Sequence, residues 1–297
     1  MNERSETEAR SGANPKPLHA YLAATGFSVL WIILQVALAV IFKFQQVDVH
    51  SGVIILICTG LFTLAVWKYL LRSDDSIGDS GIRFSIISLP HWIAGIIYGS
   101  AGIALALLIL RIPGAVAIAG QESITNGEDA LVFSWIGAIV IFTVYAGIEE
   151  VLFRGLIYPF LRKHAGLIGA LVFSSVLFGL FHILNNEFSL IAFVSIMFAG
   201  AWMALLREFT GSIWLAWGAH FGWNFAMAAT GIQVSGMETY ITPRTWSMLL
   251  EGPEWLTGGA FGIEGGIAGL IATIVLFISA IGLLRERSSD ATDQTHP

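Results

Sequence analysis

Three short polar clusters interrupt the apolar runs of this chain, and their residue types suit attack by an activated water. Glu149, Glu150 and Arg154 stand in AGIEEVLFRGLIYP (146–159), Phe178 and His182 in FGLFH, and His220 and Asn224 in HFGWN. An ionisable side chain well inside a bilayer span costs at least about 2.5 to 3.5 kcal/mol, so each cluster is a functional hypothesis by default. A carboxylate takes a proton from water, imidazoles hold the water or a developing charge, and a carboxamide donates to an oxyanion. Gathered in one apolar cavity, such groups form a hydrolytic set.

Spacing divides the roles. On a helix Glu150 and Arg154 are i, i+4 partners, and a buried pair of this kind persists because each charge neutralises the other. Glu149 is turned about 100° from Glu150, which leaves it unpaired and pointing elsewhere. His220 and Asn224 share one helix face, and Phe178, one turn before His182, is placed to wall a pocket. The plainer reading gives Glu150 and Arg154 to helix packing and lets His182, or His220 with Asn224, bond a neighbouring helix. His19, His50, His91, His164 and His296 fall at span ends, loops or tails and carry no chemistry in this reading.

The elements that must position these groups are membrane helices. The chain has 297 residues, of which 56% are hydrophobic and 12% charged, with 10 tryptophans and a mean hydropathy of +0.75, well outside the range of a soluble domain. Apolar stretches long enough to cross a core of about 30 Å recur along nearly the whole length. The pattern predicts an all-α, polytopic helical bundle of about eight spans, at 20–42, 52–71, 92–110, 131–160, 167–185, 188–206, 211–230 and 262–284. The transmembrane domain is 20–284 with a motif-bearing core at 131–230, between cytosolic tails at 1–19 and 285–297; 1–19 and 288–297 read as disordered. The polar amino terminus does not read as a signal peptide. Gly155 and Pro159 predict a bend near the end of the long fourth span.

Basic residues orient the bundle. With the amino terminus cytosolic, Arg4, Arg10, Lys16, Lys68, Arg72, Arg83, Arg162, Lys163, Arg207, Arg285 and Arg287 lie inside and only Lys43, Arg111 and Arg244 outside, so both termini face the cytosol. The outer segments 111–130 and 231–261 are long enough to act as lids, though anchoring at headgroup depth by Trp246 and Trp255 is the simpler expectation. Glycines four apart, Gly95 with Gly99, Gly262 with Gly266 and Gly265 with Gly269, predict close helix contacts. The lone Cys58 excludes an intrachain disulfide, and a net charge of −6 without basic clusters excludes nucleic acid as a partner.

Depth links the clusters. Counted from Lys163, Gly166 and Arg207 at the cytosolic boundary, Glu149, His182 and His220 all lie roughly 20 to 24 Å in. Helices four and five reach that level from opposite chain directions, which points to one site.

At these residues the chain resembles the CPBP family of intramembrane proteases, which includes the CAAX prenyl endopeptidases and bacterial proteins linked to bacteriocin self-immunity. EEVLFR, FGLFH and HFGWN stand where that family has E-E-x-x-x-R, F-x-x-x-H and H-x-x-x-N/D, in the same order and in separate helices. The resemblance implies hydrolysis of a peptide bond in a membrane-associated protein or peptide by glutamate-activated water. Glu149 is then the general base, His182 holds the water or a metal, His220 and Asn224 bind metal or the oxyanion, and Glu150 and Arg154 orient the site. A divalent metal, zinc on Glu149, His182 and His220, and a metal-free mechanism both stay open, although Asn is a poor zinc ligand. No H-E-x-x-H, no G-x-G-D and no G-x-S-G within a span occurs, so other intramembrane protease chemistries lack their residues.

Two further readings remain. A non-catalytic membrane scaffold or immunity protein of the same fold would use the polar groups for packing, and a proton-coupled transporter would use Glu and His as a relay. Neither the substrate, its prenylation nor the oligomeric state is written in the sequence.

Overall fold

The computed structural model describes residues 80–120, 128–237 and 246–293, with isolated helical positions between 22 and 33 and between 60 and 65. The tail at 1–19 lies outside the described residues, as do most of the first two expected spans and Cys58. Six long helices follow the order of the remaining spans: α1 (Ser88–Arg111), α2 (Glu128–Glu150), α3 (Tyr158–Leu180), α4 (Leu190–Thr210), α5 (Trp214–Thr230) and α7 (Ile267–Asp293), with a single turn, α6 (Glu254–Thr257), before the last.

Among the described residues, four stretches are long and apolar enough to cross a bilayer: Ser88–Arg111, Trp135–Leu180, Leu190–Thr210 and Ile267–Arg287. Six spans are expected over these residues, and the difference arises because the fourth and fifth join in one run of 46 residues, while α5 has 17 residues. Large apolar side chains such as Ile97, Leu108, Ile168, Leu190 and Ile278 are exposed on the outside of the bundle, as a lipid solvent requires. The last helix continues to Asp293, beyond the expected end at 284 and into the segment read as a tail.

The long run is not a uniform rod. Val151–Ile157 is π-helical, and Gly166, at φ 73° and ψ −178°, breaks the run in the gap expected between spans four and five. The bend expected from Gly155 and Pro159 therefore takes the form of a widened turn. Pro159 has no N–H for the Gly155 carbonyl and its ring crowds that oxygen. A turn with i→i−5 bonding, seen as Tyr158 N–H donating to Phe153 O, accommodates both.

The all-α expectation needs a second correction. Val116–Gly120 (β1) pairs antiparallel with Trp246–Leu250 (β2), Val116 opposite Leu250 and Gly120 opposite Trp246. The two outer segments thus satisfy each other's backbone groups as a ribbon. Trp246 and Trp255 are exposed, in keeping with an anchoring role.

Helices α1 and α5 pack almost backbone to backbone. A Cβ on Gly95 would lie 2.3 Å from the Leu215 carbonyl oxygen, and one on Gly99 only 1.9 Å from that of Ala219. The contact is reciprocal, since Cβ atoms on Gly218 and Gly222 would lie 2.0 and 2.3 Å from the oxygens of Trp92 and Ile96. The other two glycine pairs do not form a helix seam. Gly262, Gly265 and Gly266 belong to short 3-10 turns before α7, where Gly262 has φ +92° and approaches the Gln233 carbonyl.

Candidate active site

Helix α2 ends on Glu149 and Glu150, and the widened turn begins at the next residue. Across it Arg154 still reaches back: Nη1 donates to Glu150 Oε1 at 2.8 Å, and Nη2 donates to the Gly200 carbonyl of α4 at 2.9 Å. The pair is buried, with side chains 2% and 0% exposed, as its spacing predicts. The guanidinium also lies over Phe178, 4.4 Å from the ring centroid, which adds a cation–π contact in a dry setting. Gly200 permits this approach, because a Cβ there would sit 3.2 Å from that of Phe178.

The tight α1 contact fixes how α5 is turned. Gly218 and Gly222 face α1, which leaves His220, two residues from each, on the opposite side. Trp217 locks α5 to α2 by donating from Nε1 to the Thr143 carbonyl at 2.8 Å, over a Gly147 whose Cβ would strike the indole at 2.5 Å. His220 consequently reaches both glutamates. Its Nδ1 is 2.9 Å from Glu150 Oε1 and its Nε2 is 3.8 Å from Glu149 Oε2. A carboxylate only accepts, so Nδ1 carries the proton and Nε2 is the nitrogen turned to Glu149.

His182 lies on the turn after α3 and not within a helix, a correction to the expected span of 167–185. Its Nδ1 bonds to the Phe178 carbonyl at 2.9 Å, while its backbone N–H turns to the Gly179 carbonyl at 3.2 Å. The ring takes the acceptor that the helical N–H would have used, and the helix stops. Because a carbonyl only accepts, Nδ1 is again the donor and Nε2 is free to accept. The Phe178 ring stands edge-on to both imidazoles, 5.2 Å from His182 and 5.9 Å from His220 between centroids.

Glu149, His182, His220 and Asn224 line one cavity of about 220 Å³, with apolar walls from α2 and the segment after α5. The three sequence clusters therefore meet. Glu150 and Arg154 stand behind the wall, buried and bonded to each other. Glu149 Oε2 is buried without a hydrogen-bond partner among the described residues, and Glu149 lines a cavity that holds water-sized groups. A smaller chamber of about 20 Å³, enough for one water, shares His182, His220 and Asn224 and is walled by Phe178.

The residues do not fit a metal. Among the described residues no group of three or more His, Cys, Asp or Glu side chains is placed to hold an ion, so the zinc set of Glu149, His182 and His220 is not assembled.

Two wall residues were not anticipated. Tyr145 lines the cavity one turn before Glu149, and its place on an apolar helix face gave no signal. Glu264 is buried against the smaller chamber. It is the one charged residue between Glu254 and Arg285, and that isolation within GGAFGIEGG was a readable signal.

Residues 131–226, less than half of the chain, match the family model described as type II CAAX prenyl endopeptidase Rce1-like. The matched segment contains all three polar clusters. No curated protein and no solved structure gave a match to the chain.

Proposed function

We propose that this chain, which matches the type II CAAX prenyl endopeptidase Rce1-like model over residues 131–226, is an intramembrane endopeptidase driven by a glutamate-activated water. The observation that carries the reading is the unpartnered Glu149 carboxylate oxygen, buried at a cavity it shares with two imidazoles and a carboxamide.

In this mechanism a water held about 2.8 Å from Glu149 Oε2 also accepts orientation from His182, whose free Nε2 takes its second proton in a hydrogen bond. Glu149 removes one proton as the water oxygen bonds to the scissile carbonyl carbon. The tetrahedral oxyanion receives hydrogen bonds from the Asn224 amide and from His220, protonated on both ring nitrogens between two carboxylates. Glu149 then gives its proton to the amide nitrogen, the C–N bond breaks, and acid and amine products leave. Glu150 accepts from His220 Nδ1 and from Arg154 at once, so it aims the imidazole without touching substrate. No step in this scheme passes through a metal.

The substrate class is a membrane-associated peptide or protein delivered from the lipid, and both termini face the cytosol, as the basic-residue bias indicates. The test is cleavage of a farnesylated, internally quenched CAAX peptide in proteoliposomes. Glu149→Gln is expected to abolish cleavage while the protein inserts and unfolds like the parent. Cleavage at the parent rate by that variant would return the site to packing or binding.

A further inference from the structure

Outside the matched segment, one carboxylate backs the candidate site. Glu264 is 6% exposed and uses both oxygens: Oε1 accepts from Trp223 Nε1 at 2.9 Å, and Oε2 accepts from Ser235 Oγ at 2.6 Å. Trp223 belongs to the turn of α5 that carries His220 and Asn224. Ser235 lines both the cavity and the smaller chamber.

The Ser235 backbone is held in an uncommon state, φ +49°, which a residue with a Cβ adopts where its surroundings hold it there. Its carbonyl accepts from Asn185 Nδ2 at 2.8 Å, on the turn that follows His182. The next residue, Gly236, donates its N–H to the Phe261 carbonyl at 2.9 Å. The 231–237 segment is thus tied to the His182 turn and to the loop before α7, and Glu264 joins it to α5.

We propose that Glu264 is a positioning residue of the hydrolytic site: its carboxylate clamps the Ser235 wall of the cavity to the α5 turn bearing His220 and Asn224. The clamp rests on the hydrolytic reading for its purpose but not for its existence. It gives an acidic side chain deep in an apolar region two charge-assisted bonds, each of the stronger class.

The test uses the full chain with Cys58→Ser and Val234→Cys, because Val234 is 2% exposed and lines the cavity. A water-soluble maleimide reports whether that wall stays in place, and cleavage of the quenched farnesylated peptide reports the site. Losing a charge-assisted bond is expected to raise the labelling rate and lower kcat/KM about tenfold each in Glu264→Ala. Glu264→Gln should restore both to within about threefold, since its oxygen still accepts from Trp223 and its nitrogen can donate to Ser235 Oγ. Ser235→Ala removes a single bond and should raise labelling on its own, which decides the matter if Glu264→Ala does not fold. Unchanged labelling in folded Glu264→Ala, or in Ser235→Ala, overturns the clamp. Glu264→Gln as inactive as Glu264→Ala, with labelling restored, overturns it in favour of proton transfer by Glu264. Labelling is read without turnover, so loss of the hydrolytic reading through an active Glu149→Gln is told apart from loss of the clamp.

Discussion

His220 Nδ1 lies 2.9 Å from Glu150 Oε1, the same oxygen that takes the Arg154 guanidinium, so the supporting ion pair also anchors the imidazole. Two adjacent glutamates thereby do different work. Glu150 is enclosed and its Oε1 takes N–H groups from both Arg154 and His220, whereas Glu149 lines the cavity and its Oε2 has no hydrogen-bond partner among the described residues. The plain packing role of the pair and its role in the site are one arrangement.

The two glutamates should therefore fail differently when neutralised. Glu150→Gln leaves Arg154 charged and buried beside an amide, and breaking a pair of this kind is expected to lower stability by about 3 to 5 kcal/mol. Glu149→Gln should unfold closer to the parent temperature, because Glu149 stands 3.8 Å from His220 Nε2 without a hydrogen bond and Glu150 still holds the ring at 2.9 Å. Replacing both partners, Glu150→Gln with Arg154→Met, should recover part of the loss. Detergent-phase thermal unfolding of the four proteins checks this, and equal destabilisation by the two single substitutions would contradict it.

His182 offers a separation of fold from chemistry. The amide of Asn can reproduce the bond from Nδ1 to the Phe178 carbonyl, while nothing in Asn stands in for Nε2. His182→Asn is expected to keep the end of α3 and lose most cleavage, by about 100-fold or more if the imidazole orients the water. His182→Ala should lose both activity and some stability. Comparing the two by unfolding and by peptide cleavage tells whether the ring serves the helix end alone.

What was legible in the sequence depended on how far apart the partners stand. The Glu150–Arg154 pair follows from a spacing of four, and the meeting of three clusters followed from equal depth in a bilayer. The bond from His220 to Glu150 crosses 70 residues and depends on how α5 is rotated by its glycine contact with α1, which no local pattern encodes. His182 leaves its helix because its own side chain takes a backbone acceptor, a competition that apolar periodicity does not register. The β1–β2 ribbon joins segments separated by most of the bundle. Glu264 is legible as a lone charge in an apolar run, but its place beside the α5 turn is not, because the glycine-rich turns around it share the apolar character of a span.

The α1–α5 seam should be intolerant of even one added carbon. Gly99→Ala places a Cβ against the Ala219 carbonyl, backbone that cannot swing aside, and overpacking of this kind is expected to cost about 1 to 3 kcal/mol. The helices must part, and His220, one residue beyond Ala219, moves with them. Reduced thermal stability together with reduced cleavage is the expected result. Gly120→Ala, where a Cβ meets nothing within 4 Å, serves as the control.

The widened turn after Glu150 gives the last prediction. Helix geometry of 100° per residue fails between Val151 and Ile157, so the rotation between the glutamates and the stretch from Tyr158 to the break at Gly166 is set by this turn. Pro159 favours it by withholding a donor and crowding the Gly155 carbonyl. With Pro159→Ala the N–H returns and regular α-helical bonding becomes available, which relieves the reason for the turn. The local helix should gain stability, and its return to α register should rotate the stretch from Tyr158 to Ala165 and displace the Gly166 break, which shifts Phe178 and the His182 turn relative to Glu149. Pro159→Ala is therefore expected to unfold at an equal or higher temperature than the parent yet cleave peptide more slowly. A variant that loses stability and keeps its rate would show that the turn is held by tertiary contacts, such as Gly155 against Ile82, and not by the proline.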